Sequence, residues 1–399
     1  MNWPLASSTW ASEENLAMQE VIESGFFTMG SKTLKFEKEF AKWANRKYAV
    51  MVNSGSSANL VGATAIRYTR DSDRKFNQDG NLGEVIVPAV SWSTTYFPFT
   101  QNRYKLVFAD IEIKTYNVDV NSVRNAITKN TVGIVGVNLL GNPANWEELK
   151  SIALEFNLWL VEDNCESMGA VSPIGTTGTF GDVSTFSFFY SHHICTMEGG
   201  MAVTDDEDIY LAMRSIRAHG WAREVSADRD FLGNERGNPW EENFRFYLPG
   251  YNLRPLELAA AVGSVQLSKI DWIVQNRRQN ASKMIASLAQ NTTSWSLQES
   301  YTGSSWFTFG FINHHKVNGN LYRDNLIKIL DREGIQSRPI VAGNFSKNPV
   351  CKWLDTRIDG LLESAEVLDK CGLMVGNHHF DLSELISKFP AYLHESESE

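Results

Sequence analysis

Short apolar runs that alternate with helical patterns constrain this sequence more than any other feature. Six of these runs predict strands, at Glu84–Val90, Leu106–Asp110, Val132–Asn138, Leu158–Glu162, Ser184–Phe188 and Met201–Thr204. Each run is apolar at consecutive positions, as expected for parallel strands covered by helices on both faces. Helical patterns lie between them, for example at Ser57–Arg70 and at Ala144–Phe156, which Asn157 ends. The alternation predicts an α/β sandwich with ligand-binding groups at strand ends.

The pattern changes after residue 255. Leu256–Gln275 predicts one long helix, and the strands and helices after it predict a smaller α+β domain. We expect a large domain at residues 1–255, whose N-terminal segment packs on the small domain, and a linking helix with the small domain at residues 256–399. The closing segment His394–Glu399 (HESESE) predicts a solvated, mobile tail.

Charge and composition exclude several classes of protein. Lys and Arg number 37 against 47 Asp and Glu, a net charge of −10, which argues against a nucleic-acid surface. The four cysteines show no CxxC spacing, which argues against a disulfide framework and a zinc site. The N-terminus lacks the pattern of a signal peptide, and no apolar stretch reaches the ~18–20 residues of a membrane span. We expect a cytoplasmic protein.

The first motif with possible chemistry is Asn53–Asn59 (NSGSSAN), which follows the apolar run Tyr48–Val52 and opens a helix. The N–H groups and the dipole at the start of a helix bind phosphate, and small residues allow an anion to approach the backbone. The alternative is a simple N-cap in which Ser56 or Ser57 is the capping residue. The motif alone does not decide between the two.

The second motif is Val161–Ala170 (VEDNCESMGA), in which an apolar strand runs directly into acidic residues. Asp163 at the C-terminal end of this strand could bind a metal, act as a general base, pair with a ring cation or cap the next helix. A third acid, Glu166, follows it. No second cluster of Asp or His with metal-ligand spacing accompanies them, which disfavours a metal.

The third motif is Ser187–Gly200, in which a strand ends, two adjacent histidines follow on a loop, and a Gly-Gly turn leads into another strand. Adjacent histidines on one loop usually cannot bind the same metal ion, and a single histidine is more often structural than catalytic. Read singly, none of the three motifs decides the function.

Together, in this order and spacing, the motifs resemble the DegT/DnrJ/EryC1/StrS sugar aminotransferase family over about residues 5–380. The resemblance rests on stretches such as YAVMVNSGSSANL, LVEDNCESMGA and YSHHICTMEGG. It implies an aspartate aminotransferase-like fold (fold type I), with a mostly parallel sheet that binds pyridoxal 5'-phosphate (PLP) and a smaller C-terminal domain.

The resemblance also implies roles for individual residues. The cofactor phosphate would be bound by Gly55, Ser56, Ser57 and Ser187. Asp163 would keep the pyridine nitrogen protonated, Glu166 would contact the ring hydroxyl, and Trp92 would stack on the ring.

Other implied contacts concern the partner subunit and the substrates. Asn252 would reach the phosphate in the neighbouring subunit, which implies a homodimer with shared sites. Arg254 could bind the glutamate carboxylate bidentately, and His219 could lie near the sugar. The alternatives are that the segment of Asn252 is only a turn that enters the long helix, that Arg254 is an ordinary surface charge and that His219 is structural. We assign no role to His193.

His192 departs from the family pattern, because most members have a lysine here that binds the cofactor covalently. No lysine lies between Lys150 and Lys269. Imidazole forms no stable imine, so we expect a non-covalently bound cofactor in the pyridoxamine form (PMP), with His192 as general base. Histidine at this position is typical of the sugar 3-dehydratases in the family.

This subgroup implies loss of the C3 hydroxyl from a nucleotide-linked 4-keto-6-deoxyhexose, with a GDP-linked mannose derivative as the expected substrate in deoxysugar (O-antigen) biosynthesis. Glutamate would form PMP, and 2-oxoglutarate and ammonia would be released. The segment Glu224–Trp240 contains no cysteine, which excludes the iron–sulfur cluster of a related subgroup. Two alternatives stay open: an aminotransferase that acts on a 4-keto sugar nucleotide, and an inactive relative that only senses sugar nucleotides.

Overall fold

The structure, a computed structural model, describes residues 3–224, 238–300 and 303–398. The helices are α1 (Ser12–Ser24), α2 (Ser31–Trp43), α3 (Gly55–Thr69), α4 (Ser93–Gln101), α5 (Val120–Ala126), α6 (Trp146–Phe156), α7 (Glu207–Arg217), α8 (Pro239–Glu242), α9 (Glu257–Ser268), α10 (Ile270–Leu288), α11 (Gly319–Arg332), α12 (Glu363–Cys371) and α13 (Ser383–Ser398). The strands are β1 (Tyr48–Val52), β2 (Glu84–Pro88), β3 (Lys105–Ala109), β4 (Thr131–Val137), β5 (Trp159–Asp163), β6 (Val171–Ser172), β7 (Gly175–Thr176), β8 (Val183–Ser187), β9 (Gly200–Thr204), β10 (Trp295–Leu297), β11 (Thr308–Asn313), β12 (Ser337–Arg338), β13 (Thr356–Ile358) and β14 (Gly372–Gly376). Of the helices described here, none has the length and apolar composition needed to cross a membrane.

The large sheet confirms the predicted α/β architecture. Its strand order is β1-β9-β8-β5-β4-β2-β3-β13, and the pairs from β8 to β13 are parallel. Strand β9 runs antiparallel to both of its neighbours, β1 and β8. The six predicted strands lie within two residues of β2, β3, β4, β5, β8 and β9. All residues of β2, β4, β5, β8 and β9 are buried, because helices cover both faces of the sheet.

A second, smaller sheet lies in the C-terminal half. It has the order β10-β11-β14-β12 and packs on helices α11 and α13 through a separate apolar core. Trp3, near the N-terminus, is fully buried in this core, where its ring contacts Phe309 and Phe389. Its indole N–H donates to the Gly376 carbonyl at 2.8 Å. Strand β13 instead pairs with β3, so the C-terminal half also supplies the last strand of the large sheet.

The prediction of one long helix at Leu256–Gln275 is wrong, because α9 ends at Ser268 and α10 begins at Ile270. Lys269 separates them, and its backbone N–H donates to the Gln266 carbonyl at 3.0 Å. Its ammonium group donates to the fully buried carboxylate of Glu14 at 2.6 Å, which ties the break to α1. This stretch contains no proline that would signal the break, so it depends on a contact with a residue more than 250 positions away.

The prediction of a mobile tail at the C-terminus is also wrong, because α13 continues to Ser398. The buried hydroxyl of Ser396 accepts a hydrogen bond from the Trp295 indole at 3.0 Å. Glu397 accepts from the backbone N–H of Ser294 at 2.8 Å and from the Asn313 amide at 2.9 Å. The polar side chains of this segment therefore bond to the small sheet and stabilise the last helical turn.

Candidate active site

The three sequence motifs meet at one edge of the large sheet because of its strand register. Gly200, the first residue of β9, pairs with Val52 at the end of β1 and with Ser187 at the end of β8. On the other side of β8, in a parallel pair, Asp163 at the end of β5 pairs with Thr185 of β8. The phosphate-binding candidate after β1, the acidic motif after β5 and the histidine loop after β8 therefore lie at the same edge of the large sheet, which forms the candidate cleft, as predicted from the strand ends.

The N-terminus of α3 lies directly beside Ser187. Ser54 caps this helix, since it has an extended backbone and its hydroxyl accepts from the Ser57 N–H at 3.1 Å. The suggestion that Ser56 or Ser57 is the capping residue is therefore wrong, because both already lie within the helix. A Cβ atom at Gly55 would overlap the Ser187 side chain, so only glycine fits here. The first backbone N–H groups of a helix have no partner within the helix and are available to an anion.

Asp163 is buried and held by three hydrogen bonds. Its Oδ2 accepts from the Asn59 amide at 3.0 Å and from the Thr95 hydroxyl at 2.9 Å, and its Oδ1 accepts from the Cys165 N–H at 3.0 Å. Asn59 in turn accepts from the Thr185 hydroxyl at 2.6 Å. The donors to Asp163 come from α3, α4 and the loop after β5, so the carboxylate has one fixed orientation.

Glu166 lies close to this carboxylate on the loop after β5. Its Oε2 accepts from the backbone N–H of Leu140 at 2.9 Å. Burial, and to a smaller extent the neighbouring charge of Asp163, raises the pKa of Glu166 to about 7. Two carboxyl groups with different environments therefore lie together, one rich in donors and one that takes up a proton near neutral pH.

His192 lies on the loop between β8 and β9, with its ring against apolar side chains. The ring centroids of His192 and Phe307 are 5.3 Å apart, and Phe189 contacts the ring edge. Ser191 Oγ lies 3.4 Å from Nδ1. Burial, with a smaller contribution from the positive charge of Arg277, lowers the pKa of His192 to about 4. The imidazole is therefore neutral at physiological pH and can accept a proton.

The adjacent His193 points away from solvent and is 1% exposed. Its Nε2 lies 3.2 Å from the Ser305 carbonyl oxygen, and its ring also contacts Phe307. Burial lowers the pKa of His193 well below the usual value of histidine. The two histidines therefore differ in placement, because His193 is anchored in the interior and His192 lies at the cleft.

Trp92 is 58% exposed at the end of the segment that follows β2, where it precedes the first turn of α4. Its indole face is available for stacking. Asn252 is exposed and accepts from Arg254 Nε at 3.0 Å, while the carbonyl of Leu253 between them accepts from the N–H of Asn53. This segment therefore lies next to the first motif of its own chain.

His219 lies in the left-handed region at φ 66° and contacts the ring of Trp221. It follows α7 and comes directly after Ala218, which forms an isolated bridge with Asn252. Most of the cysteine-free segment, residues 225–237, lies outside the described residues.

Comparison with known proteins agrees with this geometry. The sequence matches the DegT/DnrJ/EryC1/StrS aminotransferase family over residues 9–379. The chain belongs to this family. The match covers all three motifs and most of both sheets, so the resemblance inferred from the motifs is confirmed.

Relatives within the family extend over nearly the whole chain. The chain is 46% identical over 387 residues to GDP-4-keto-6-deoxy-D-mannose 3-dehydratase of Yersinia pseudotuberculosis, which covers 97% of this chain and 96% of the relative. It is also similar to a solved GDP-4-keto-6-deoxymannose-3-dehydratase with a trapped PLP–glutamate geminal diamine (44% identity, TM-score 0.93, 98% of this chain, 100% of the other). A further structure of that enzyme, a histidine-to-asparagine variant with bound GDP-perosamine, has 45% identity and TM-score 0.92 (98% and 100% covered).

These similarities confirm the aspartate aminotransferase-like fold of type I, with its large mostly parallel sheet and smaller C-terminal α+β part. They also confirm membership of the family that the motifs indicated.

Several residues of the site were not singled out from the sequence. Asn59 and Thr95 hold Asp163, Leu140 contacts Glu166, and Phe307 and Arg277 lie behind His192. Asn59 had a usable signal, because it is a polar residue in an otherwise apolar stretch of α3. Phe307 and Arg277 had none, since nothing in their local sequence relates them to a loop more than 80 residues earlier.

Proposed function

We infer that this chain is a PLP-dependent sugar 3-dehydratase that converts GDP-4-keto-6-deoxy-D-mannose to GDP-4-keto-3,6-dideoxy-D-mannose. Glutamate supplies the amino group that forms PMP, and 2-oxoglutarate and ammonia leave. The observation that carries this proposal is His192, a neutral imidazole in the cleft at the position where an aminotransferase has its lysine. The sequence identity of 46% to a named 3-dehydratase, over 97% of the chain, supports the proposal.

The residues at the sheet edge fit PLP. The N-terminus of α3 offers backbone N–H groups and hydroxyls to a phosphate, and the absence of a side chain at Gly55 leaves room beside Ser187. Asp163 offers a fixed carboxylate to a pyridine nitrogen. When bound, PLP supplies an electron sink for bonds that break next to it.

The remaining cofactor contacts are assigned by position. Glu166 takes up a proton near neutral pH, which suits it to hydrogen bonding with a ring hydroxyl. Trp92 presents an exposed ring at the cleft, which suits it to stacking on the cofactor. The phosphate contacts are assigned to Gly55, Ser56, Ser57 and Ser187.

His192 acts as the general base. With Ser191 Oγ near Nδ1, Nε2 is the nitrogen available to take a proton and to return it. Phe307 and Phe189 keep water from the imidazole, which favours its neutral form. Since an imidazole cannot anchor the cofactor covalently, His192 moves protons but does not release an aminated product.

The overall conversion balances without an external reductant. The sugar loses one oxygen atom at C3 and gains two electrons there. Glutamate loses two electrons when it becomes 2-oxoglutarate, and its nitrogen leaves as ammonia. The oxygen lost by the sugar equals the oxygen gained when glutamate becomes 2-oxoglutarate and ammonia. This balance agrees with a chain whose segment Glu224–Trp240 has no cysteine for an iron–sulfur cluster.

The active form is a homodimer in which Asn252 of one subunit reaches the cofactor phosphate of the other. Exposed apolar side chains support such an interface, among them Phe26, Phe27, Phe189 and Tyr190. Mixing Asn252→Ala subunits with Asp163→Asn subunits should restore part of the activity that each variant lacks. Restoration in the mixture and a dimeric mass by light scattering are expected, and an active monomer would contradict the proposal.

Arg254 is assigned to the carboxylate of glutamate and His219 to the sugar. Arg254 uses Nε to donate to Asn252, which leaves its terminal nitrogens for a bidentate contact. Arg254→Ala should weaken glutamate-dependent formation of PMP more than binding of the sugar nucleotide, and His219→Ala should do the opposite. Stopped-flow absorbance and equilibrium binding measure the two effects.

Product analysis tests the reaction. The purified protein with PLP and glutamate is incubated separately with GDP-, CDP- and dTDP-linked 4-keto-6-deoxyhexoses, and products are identified by mass spectrometry with an ammonia assay. A 3,6-dideoxy product with ammonia release, formed from the GDP-linked sugar, is expected. An amino sugar without ammonia release would make the chain an aminotransferase, and no formation of PMP would indicate a sensor.

A further inference from the structure

Arg277 is a buried cation behind the histidine loop. It lies on α10, is 3% exposed, and uses Nη1 to donate to the carbonyl oxygens of Phe307 and Asn377 at 2.7 Å each. Its Nε is buried without a hydrogen-bond partner. Burial lowers its pKa to about 10, so it remains charged at neutral pH. A charge placed in the interior and bonded to neutral carbonyls is costly, so its position calls for an explanation.

Arg277 fixes the residue that touches both histidines. The ring of Phe307 lies 5.3 Å from that of His192 and 5.8 Å from that of His193. The carbonyl of Phe307 accepts from Arg277, and its N–H donates to the Leu140 carbonyl at 2.9 Å. Both backbone polar groups of Phe307 are therefore held, and the ring has little freedom to move away from the imidazoles.

Residues 305–307 also anchor His193. Because the Ser305 carbonyl can only accept, His193 donates from Nε2 and its Nδ1 carries no hydrogen. This nitrogen is buried without a partner. His193 is thus a neutral anchor that fixes the loop, and the backbone of residues 305–307 holds His192 and His193 from one side.

The charge of Arg277 also acts on His192 electrostatically. The groups that face His192 are Arg277 from α10, His193 from its own loop, the Ser191 hydroxyl and the apolar rings of Phe189 and Phe307. A second positive charge on the imidazole would be repelled in this weakly polar environment. The arrangement therefore disfavours an imidazolium at rest and supports the depressed pKa of His192, which burial lowers first and Arg277 lowers further.

We propose that Arg277 is a positioning residue for His192: it holds Phe307 against both imidazoles and provides the buried positive charge that keeps His192 ready to accept a proton. The proposal rests on the function inferred above only in taking His192 as the base. The placement of the charge is a property of the protein itself and can be measured without substrate.

The test compares the titration midpoint of His192 between the wild type and Arg277 variants, in the protein without cofactor. NMR of labelled histidine measures it, and the His192 signal is identified by its absence from the spectrum of His192→Asn. The wild type should titrate near pH 4. Arg277→Met should raise the midpoint by about one pH unit, since it removes a nearby like charge. Arg277→Lys keeps the charge and should leave the midpoint close to that of the wild type.

Arg278→Met is the matched control. Arg278 is the next residue on α10 and also donates to carbonyl oxygens of the neighbouring segment, those of Ser304, Gly303 and Gly169 at 2.9–3.0 Å. Its charge is not among those that shift His192. Arg278→Met should lower the stability of the protein as Arg277→Met does, but it should leave the titration midpoint of His192 unchanged.

A second variant covers the case in which Arg277→Met does not fold. Phe307→Leu keeps the backbone carbonyl for Arg277 but removes the ring, so the His192 midpoint should rise as desolvation is relieved. In both variants kcat for dehydration should fall about tenfold or more, because the Phe307 ring that positions His192 is loosened or lost. KM for the sugar nucleotide should change little, because neither side chain is placed at the substrate.

An unchanged His192 midpoint in Arg277→Met or, if that variant does not fold, in Phe307→Leu would overturn the proposal. So would an equal shift in Arg278→Met. If the wild type fails to dehydrate any sugar nucleotide, the function inferred above fails, but the titrations still decide the role of Arg277.

Discussion

The two sides of the cleft hold their functional groups by different means. The Asp163 side consists of Asp163 with its donors Asn59 and Thr95, and the His192 side consists of His192 with Phe307 and Arg277. On the Asp163 side, three donors from neighbouring elements contact the carboxylate directly. On the His192 side, an apolar ring and a buried cation surround the imidazole.

The difference gives each group the environment that its proposed role needs. Direct hydrogen bonds fix the orientation of the Asp163 carboxylate, which suits it to pairing with a pyridinium. Desolvation and a nearby positive charge destabilise the charged form of a base, so His192 stays neutral. One fold therefore holds a carboxylate through direct hydrogen bonds and a neutral imidazole among apolar rings at the same edge of the sheet.

The largest effect is expected for His192→Asn, which removes the base but keeps a polar side chain of similar size. Dehydration should fall by about 10³-fold or more, while binding of PLP stays within a few-fold of the wild type. Mass spectrometry of products and a PLP absorbance titration measure the two. His192→Lys is the companion variant, and covalent attachment of the cofactor should appear as an absorbance shift. Full turnover by His192→Asn would remove His192 from the mechanism.

Asp163→Asn tests the other side of the cleft. The asparagine keeps the shape but loses the charge. In either orientation its NH₂ group faces a hydrogen-bond donor, either the Cys165 N–H or the side chains of Asn59 and Thr95. We expect a fall in kcat of about 100-fold and weaker binding of PLP. Half-reaction kinetics with glutamate and the PLP dissociation constant measure this. If turnover stays near the wild-type value, the carboxylate does not act on the cofactor.

Thr95→Val removes one donor to Asp163 and leaves the Ser91 hydroxyl, which lies 2.8 Å from Thr95 Oγ1, without its partner. PLP affinity should fall by about tenfold or less, and stability by about 1 kcal/mol. Thr100→Val on the same helix is the control, because the Thr100 hydroxyl donates to the Phe97 carbonyl and not to Asp163. Equal changes in PLP affinity for both variants would show that Thr95 acts through the helix and not through Asp163.

The smallest effect is expected for Glu166→Gln, read through the pH dependence of stability. The folded-state pKa of Glu166, about 7, lies above its unfolded value, so its stabilising contribution is present at low pH and is lost as pH rises to 7. Glutamine cannot ionise, so the variant without cofactor should be more stable than the wild type at pH 8, by roughly 1 kcal/mol after solvent screening. The two should become equal as pH falls below about 4.5, where the carboxyl is protonated in both states. Urea unfolding at both pH values measures this.

The depressed pKa of His192 acts in the opposite direction. Its folded-state pKa, about 4, lies below the unfolded value of about 6.5, so its contribution to stability is present above pH 6.5 and is lost as pH falls towards 4. Comparing the free energy of unfolding of the wild type with that of His192→Asn over this pH range isolates the contribution of His192 to stability. Parallel stability curves for the two proteins would show that the imidazole is not desolvated as described.

Much of the fold followed from local pattern. Strands β3 and β8 lie within one residue of the predicted bounds, and Asn157 ends α6 in the left-handed conformation at φ 53°. These features depend on short-range rules: apolar runs for buried strands and an asparagine for a helix end. The break at Lys269 and the helical C-terminus did not follow, because both depend on partners far away in sequence, Glu14 and Trp295.

The sequence by itself determined the family, the cofactor and the residues placed at the three strand ends, because motif order and spacing are properties of the chain alone. It also showed the missing lysine at position 192. Only the tertiary structure decided how these residues are held: that Ser54 caps α3, that Asn59 and Thr95 orient Asp163, and that Phe307 and Arg277 lie behind His192. The physical reason is that protonation depends on burial and on neighbouring charges, and both arise when segments distant in sequence pack together.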